Sequence, residues 1–385
     1  MTTTTVDPHT AGGPPRSRAL AHHGLLPALE HPSDVLRHIT PNWFAAVMGT
    51  GIVANAAATL QLRTPALLGI AFAVWALAST MLVVLSLAFA AHWVRHRETA
   101  RAYANHPVMS QFYGAPAMAL LTVGAGTQLV GYELLGRGLA LAVFVALWVL
   151  GTALGLATSM WVPFRMITAH DHSTVVALPA WLMPIVPPMV SASTGALLLA
   201  HVPSGQARLT LLLGLYGLFG MSLVLGVLTL SLVYGRLVSA GPLPVQAAPT
   251  IWITLGMVGQ SITAANLLGT QAGLVVDQQT AFGLHVLGIA YGAVMAGFAL
   301  LLVSLALALT VHAGRRGLRF SLTWWSFTFP LGTLVTGLSA LSTATGARPV
   351  EDLAATLFGV LLLVWLTVTT HTARAVRSGS VFLPA

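Results

Sequence analysis

Cysteine and lysine are both missing from this 385-residue sequence, and only 7% of its residues are charged, against about 25% in an ordinary soluble domain. Without cysteine, disulfides and thiolate chemistry are excluded. The acidic residues are few: Asp7, Glu30, Asp34, Glu98, Glu133, Asp171, Asp277, Glu351 and Asp352. Every one falls in a tail, in a loop or at the end of an apolar stretch. That placement disfavours a carboxylate proton relay or a cation filter, both of which set acidic groups deep in a membrane. A Gly-rich phosphate loop ending in lysine is also missing, so the sequence gives no support to ATP-driven transport by this chain.

What the sequence has in quantity is apolar surface, 56% of residues with a mean hydropathy of +0.83. Stretches free of acid and arginine run at 41–61, 65–92, 107–130, 138–162, 175–200, 210–234, 249–274, 281–311, 321–345 and 353–371. A helix needs about 20 apolar residues to cross a hydrocarbon layer, so the expectation is an all-α integral membrane protein of ten transmembrane helices. The division is a cytoplasmic tail at 1–37, one transport domain at 38–376 and a cytoplasmic tail at 377–385. The first 36 residues, with Pro14, Pro15, His22 and His23, lack the apolar core of a signal peptide.

All 17 basic residues are arginine. Only Arg63, Arg137, Arg208 and Arg348 fall in one set of alternate loops; the other thirteen fall in the tails and the remaining loops. The basic excess therefore records topology rather than nucleic-acid binding, and it places both termini in the cytoplasm of a cell-membrane protein.

Odd and even stretches differ in composition. The odd ones carry helix breakers, among them Gly49, Gly51, Pro116, Pro184, Pro187 and Pro330. A proline inside a helix leaves a carbonyl without its amide, and such backbone is tolerated at membrane depth only inside protein or along a wet cavity. Five hairpins follow from this, with an inner ring of broken odd helices around a pore and an outer ring of even ones. The polar residues of the odd stretches are neutral: Thr50, Asn55, Thr122, Ser191, Ser193, Gln260, Ser261 and Thr333. They are expected to line the pore and donate weakly to an anion, letting it leave as readily as it enters. Phe329 lies too deep to be an interface anchor like Trp324 and Trp325, and its ring is expected to plug the pore. Gly332 and Gly337 would leave it room to swing aside.

Two clusters point elsewhere. His170, Asp171 and His172 could hold a metal but lack a second ligand group nearby, so neither metal nor cofactor is expected. An intramembrane enzyme would need a His or carboxylate pair facing a buried cavity, and His285 is the one such group inside a stretch rather than at its end. A receptor or scaffold without transport leaves the five broken helices unexplained.

Three segments together are similar to one family: HITPNWFAAVMGTGIVANA from His38 to Ala56, PAWLMPIVPPMVSASTG from Pro179 to Gly195, and WWSFTFPLGT from Trp324 to Thr333. They resemble the tellurite-resistance/dicarboxylate transporter family, which includes malate transporters, fungal sulfite exporters and the slow anion channels of plant guard cells. The resemblance covers roughly residues 38–376. It implies ten helices in five hairpins, a homotrimer with one pore per subunit, and a phenylalanine on the ninth helix that closes the pore, matching Phe329. The expected function is passage of a small anion, a C4-dicarboxylate such as malate or else sulfite, across a lipid bilayer.

Overall fold

The computed structural model describes residues 32–169 and 176–383, and among them every regular element is helical. In chain order these are α1 (Phe44–Thr59), α2 (Pro65–Arg95), α3 (Arg97–Asn105), α4 (Gly114–Gly126), α5 (Tyr132–Leu135) and α6 (Arg137–Ala169). They continue with α7 (Pro187–Gly195), α8 (Gln206–Ala240), α9 (Ile253–Gln271), α10 (Gln278–Arg315), α11 (Thr328–Thr345) and α12 (Arg348–Ser378).

Five of these helices open in the same manner. A 3-10 segment leads into each: Pro41–Trp43 before α1, Met109–Tyr113 before α4, Val245–Trp252 before α9 and Leu322–Phe327 before α11, with Pro179–Leu182 preceding α7 across a short turn. The prolines concentrate at these junctions. Pro116 and Pro330 are each the third residue of their α-helix, and Pro187 is the first of α7. There the missing amide is one that has no intrahelical partner anyway. Only Pro184 sits in a true interruption, the turn between Leu182 and Pro187. Two of the long helices begin on side-chain caps instead: Thr64 accepts from the Leu67 amide at the start of α2, and Asp277 from the amides of Gln279 and Thr280 at the start of α10. Hydrogen bonds, first that from the Thr280 hydroxyl, hold the Asp277 carboxyl below the usual carboxylate range.

Among the described residues eight helices are long and apolar enough to cross a membrane: Pro65–Arg95, Met109–Leu135, Arg137–Ala169, Gln206–Ala240, Val245–Leu274, Gln278–Arg315, Leu322–Thr345 and Arg348–Ser378. The two other apolar stretches of the sequence behave differently. α1 is 16 residues long and α7 only 9, short of the roughly 20 that a crossing takes. Pro184, Pro187 and Pro188 deprive the α7 region of three amides, and the chain there turns instead of continuing as one helix.

Burial divides the molecule into two populations. Of the most apolar part of Val245–Leu274, 89% is buried, against 11% for Gln278–Arg315. α1 is buried without a break from Phe44 to Ala57. By contrast Leu87 and Val94 on α2, Leu232 on α8, Val294 on α10 and Leu363 on α12 are exposed. Apolar surface on that scale needs lipid, and the protein is a membrane protein.

Contacts among the buried helices follow a cycle: α1 packs on α4, α4 on α7, α7 on α9, α9 on α11, and α11 on α1. Glycine sets how closely they approach. A Cβ on Gly259 would lie 2.6 Å from the Leu334 amide nitrogen, and one on Gly49 would lie 2.2 Å from Thr328 Oγ1. Each long helix packs on the buried helix nearest before it, α2 on α1, α6 on α4, α8 on α7, α10 on α9 and α12 on α11. Indole N–H groups pin the two populations together: Trp75 donates to Thr127, Trp148 to the Ser191 carbonyl, Trp252 to Thr310, Trp325 to Thr372 and Trp365 to Thr50. Trp325 is thus buried, not an interface anchor. At one end Phe382, beyond α12, stacks on Trp43 at 5.4 Å, which docks the segment Ser380–Phe382 there.

Candidate functional site

The later parts of α1, α4, α7, α9 and α11 surround a cavity of about 280 Å³, close to the smallest volumes typical of small-molecule sites, about 300 Å³. All five buried helices contribute polar groups: Asn55, Thr122, Ser193 with Thr194, Gln260 with Thr263 and Asn266, and Thr336 with Ser339. The wall carries one charged side chain, Arg63, just past the end of α1. It is exposed at the rim and has no acidic partner among the described residues. A lone cation at the mouth of a neutral cavity draws anions and repels cations.

Phe329 is the floor. Its ring, 2% exposed, lines this cavity and also a second one of about 20 Å³ on its other side, and it is the one residue that the two walls share. The smaller cavity is walled mainly by apolar side chains, among them Met48, Phe112, Met118, Met183 and Val186, with Ser326 as its one side-chain hydroxyl. Phe329 is the second residue of α11, where the 3-10 segment becomes α-helix, and Pro330 follows in that first turn without kinking the helix. The space beside Gly332 is filled by Ile52 and that beside Gly337 by the Gly259 carbonyl and Ile262. Those glycines serve helix contact, not ring movement.

Most cavity hydroxyls donate to backbone carbonyls of their own helix, although Thr263 and Thr336 also share a hydroxyl–hydroxyl bond of 3.0 Å and the Ser339 hydroxyl has no partner. Thr122 donates to the Met118 carbonyl at 2.7 Å, Ser193 and Thr194 to that of Val190 at 3.0 and 2.7 Å, and Thr336 to that of Thr333 at 3.0 Å. Their protons serve the helix, and lone pairs face outward from it. This differs from the expected row of donors. Asn55 donates to the Thr122 carbonyl at 3.1 Å, Asn266 to that of Ile262 at 2.9 Å, and Gln260 to the Ser193 hydroxyl.

Of the polar residues expected along the pathway, Asn55, Thr122, Ser193 and Gln260 meet at this cavity, and four lie outside its wall. Thr50 accepts from Trp365 on α12 and Ser191 from Thr152 on α6, both facing the long helices. Ser261 donates to the Val258 carbonyl, and Thr333 ties α11 to α9 through the Gly256 carbonyl. Gly49 and Gly51 run through an unbroken α1; a Cβ on Gly51 would meet Thr122 at 2.9 Å. His285 is half-buried beside Gly269, away from the cavity. His170, Asp171 and His172 lie outside the described residues, as do Pro14, Pro15, His22 and His23.

Arg63, Asn266 and Ser339 were not singled out by composition, yet a signal was present. Polar residues recur every three or four positions in otherwise apolar helices, Asn55 and Thr59, then Gln260, Thr263 and Asn266, then Thr336, Ser339 and Thr343, and Arg63 follows Thr59 by four residues in the loop after α1. That spacing marks one face of each helix.

Comparison with known proteins finds a matching family and several relatives. Residues 38–373 match the family described as SLAC1, voltage-dependent anion channel. An uncharacterized transporter of Methanocaldococcus jannaschii is 26% identical over 360 residues, covering 93% of this chain and 99% of its own. The sulfite efflux pump SSU1 of Trichophyton rubrum is 26% identical over 335 residues, 85% of this chain and 88% of its own. A Schizosaccharomyces pombe protein named for malic acid transport is 21% identical over 365 residues, 91% and 83% of the two chains.

Proposed function

The chain belongs to the voltage-dependent anion channel family, a family of transporters and channels rather than enzymes, and we propose that it moves sulfite or a C4-dicarboxylate such as malate through a pore in each subunit that Phe329 closes. The observation that carries this reading is the cavity itself, drawn from all five buried helices, neutral along its wall and positive only at Arg63. The pore runs from that cavity past Phe329 and out among the 3-10 segments. α1 and α7 complete ten crossings in five hairpins, their short lengths being tolerated because they touch protein rather than lipid. Subunits associate as homotrimers, as the resemblance implies. The names of the relatives supply the substrate candidates, sulfite and malic acid. Liposomes holding the purified protein should pass malate or sulfite well above protein-free vesicles. Potassium or sodium carried in preference to every tested anion would defeat the proposal.

Arg63 supplies a graded test. Arg63→Gln should lower anion flux about two- to fivefold at low ionic strength, the scale of one exposed charge, and the difference should shrink as salt rises toward a Debye length of about 8 Å. Equal flux at all salt concentrations would remove Arg63 from the pathway.

Both termini face the cytoplasm in this reading, because thirteen of the 17 arginines lie on that side. The cysteine-free sequence makes this measurable without background. In intact cells a membrane-impermeant maleimide should label Ser204→Cys and spare Glu98→Cys until the membrane is opened. The reverse pattern would invert the orientation.

A further inference from the structure

We infer that the furrow between α8 and α10 holds one phospholipid with a net negative headgroup, its phosphate on Arg316 and His312 and an acyl chain along the apolar floor below them. The inference uses the protein's residence in a membrane but neither its substrate nor its gate.

Two helix faces build the furrow. On α10 the residues Leu302, Leu305, Ala306, Leu309, His312 and, directly after the helix, Arg316 fall on one face. They line two hollows in succession, the first three residues in one and the last three in the next. On α8 the opposite wall is Leu230, Val233, Tyr234 and Leu237, also at helical spacing. Ile251, in the lead-in to α9, is buried and lines both hollows, which makes them one furrow. Each encloses about 20 Å³, room for the flank of a chain and not for a whole solute. Tyr234 and Leu305 stand exposed along its edges. From Leu302 to Arg316 the face is about 21 Å long at about 1.5 Å per residue, and one leaflet with its headgroup layer is about 20–22 Å thick. The apolar residues thus lie at acyl depth and the basic ones at headgroup depth, in the leaflet that the orientation proposed above makes the cytoplasmic one.

Charge selects the headgroup. No Asp or Glu occurs between Asp171 and Asp277 or between Asp277 and Glu351, and Asp277 opens α10 at its far end. The elements that form the furrow therefore bring no acid to its basic end. Arg236 adds a further cation there, donating to the Gly241 carbonyl at 2.8 Å beside Pro242 of the upper hollow. That end is braced. The Gln246 side chain accepts from the Arg319 amide at 3.1 Å and donates to the Gly317 carbonyl at 3.4 Å, tying the loop after α10 to the lead-in of α9. Both α8 and α10 end here, and helix C-termini carry partial negative charge, so a phosphate is held by side-chain charge and not by backbone. Basic groups at this depth attract anionic lipid. A free anion would leave the apolar two-thirds of the furrow uncovered, whereas a lipid fills both parts.

Photolabelling tests this directly. The full-length protein in detergent would be mixed with phosphatidylglycerol or with phosphatidylcholine, each bearing the same photoreactive acyl chain, then irradiated and digested. Peptides covering 230–243 and 302–316 should carry phosphatidylglycerol at least about fivefold over phosphatidylcholine, the factor of one arginine near an anionic headgroup. Peptides around Leu363, exposed on α12, should label alike with both. Joint His312→Gln and Arg316→Gln substitution should remove the preference. Leu305→Trp, which fills the furrow from its edge, should lower labelling there by both lipids. Equal labelling of the wild-type furrow by the two lipids would overturn the inference whether or not the variants fold. So would loss of the preference on adding inorganic phosphate at constant ionic strength, which would assign the basic end to a free anion. No label at these peptides would also overturn it, and cross-links there between copies would give the furrow to a second copy of the chain. None of these outcomes bears on anion flux, so the transport reading stands or falls separately.

Discussion

Replacing Phe329 with alanine is expected to raise anion flux per folded molecule at least about tenfold. The ring is the shared wall between a polar cavity of about 280 Å³ and an apolar one of about 20 Å³. An ion passing from one to the other must shed water in a section lined mainly by apolar side chains, methionine and phenylalanine among them, and such hydrophobic constrictions block by dewetting. Each 1.4 kcal/mol removed from that barrier gives about a tenfold gain. Truncating a buried phenylalanine ordinarily costs about 3–5 kcal/mol of stability. Here the space joins two existing cavities, and water can enter it from the larger one. Flux must therefore be normalised to folded protein. Phe298→Ala is the control, since that ring is 37% exposed on α10 and far from the cavity wall. Unchanged flux at Phe329 with normal folding would place the constriction elsewhere.

Gly114→Ala should do the opposite kind of damage, loss of the folded protein. A Cβ at that position would lie 2.0 Å from the Met183 carbonyl oxygen and 2.9 Å from the Pro184 Cα. Both obstacles are backbone, and that backbone is held from behind. Ser159 donates to the Pro184 carbonyl at 2.6 Å and Ser222 to that of Ile185 at 2.7 Å. The turn cannot retreat without breaking bonds in two long helices, so the cost should exceed the 1–3 kcal/mol, roughly, of ordinary overpacking. Gly114 has a helical φ of -70°, which alanine adopts freely, so the effect isolates contact from conformation. Gly217→Ala in α8 supplies the comparison, with nothing within 4 Å of its added Cβ. That variant should be as stable as wild type or slightly more so, since alanine is favoured over glycine in a helix by about 1 kcal/mol. The readout is yield and melting temperature in detergent. A Gly114→Ala protein that melts with the wild type would show the close approach to be absent.

The sequence by itself determined residence in a membrane, because 56% apolar and 7% charged residues cannot make a water-soluble surface. It also separated the helices that would be buried from those that would be exposed, since proline, glycine and neutral polar residues collect in alternate stretches. The family was legible in three motifs, and Phe329 stood out by depth alone. The tertiary structure decided how those residues are used. α1 and α7 are small or apolar on nearly every side, so no amphipathic stripe reveals which face turns inward. The rotation of each helix is fixed by its neighbours, by Gly49 against Thr328 and by Trp365 against Thr50. That rotation sends Thr50 and Ser191 to the long helices and brings Asn55, Asn266 and Ser339 to the cavity. Composition likewise counts a hydroxyl without saying where its proton points. Only packing, by engaging most of those protons on backbone carbonyls, withdraws apparent donors from the cavity, and only the loop after α1 places Arg63 at its wall.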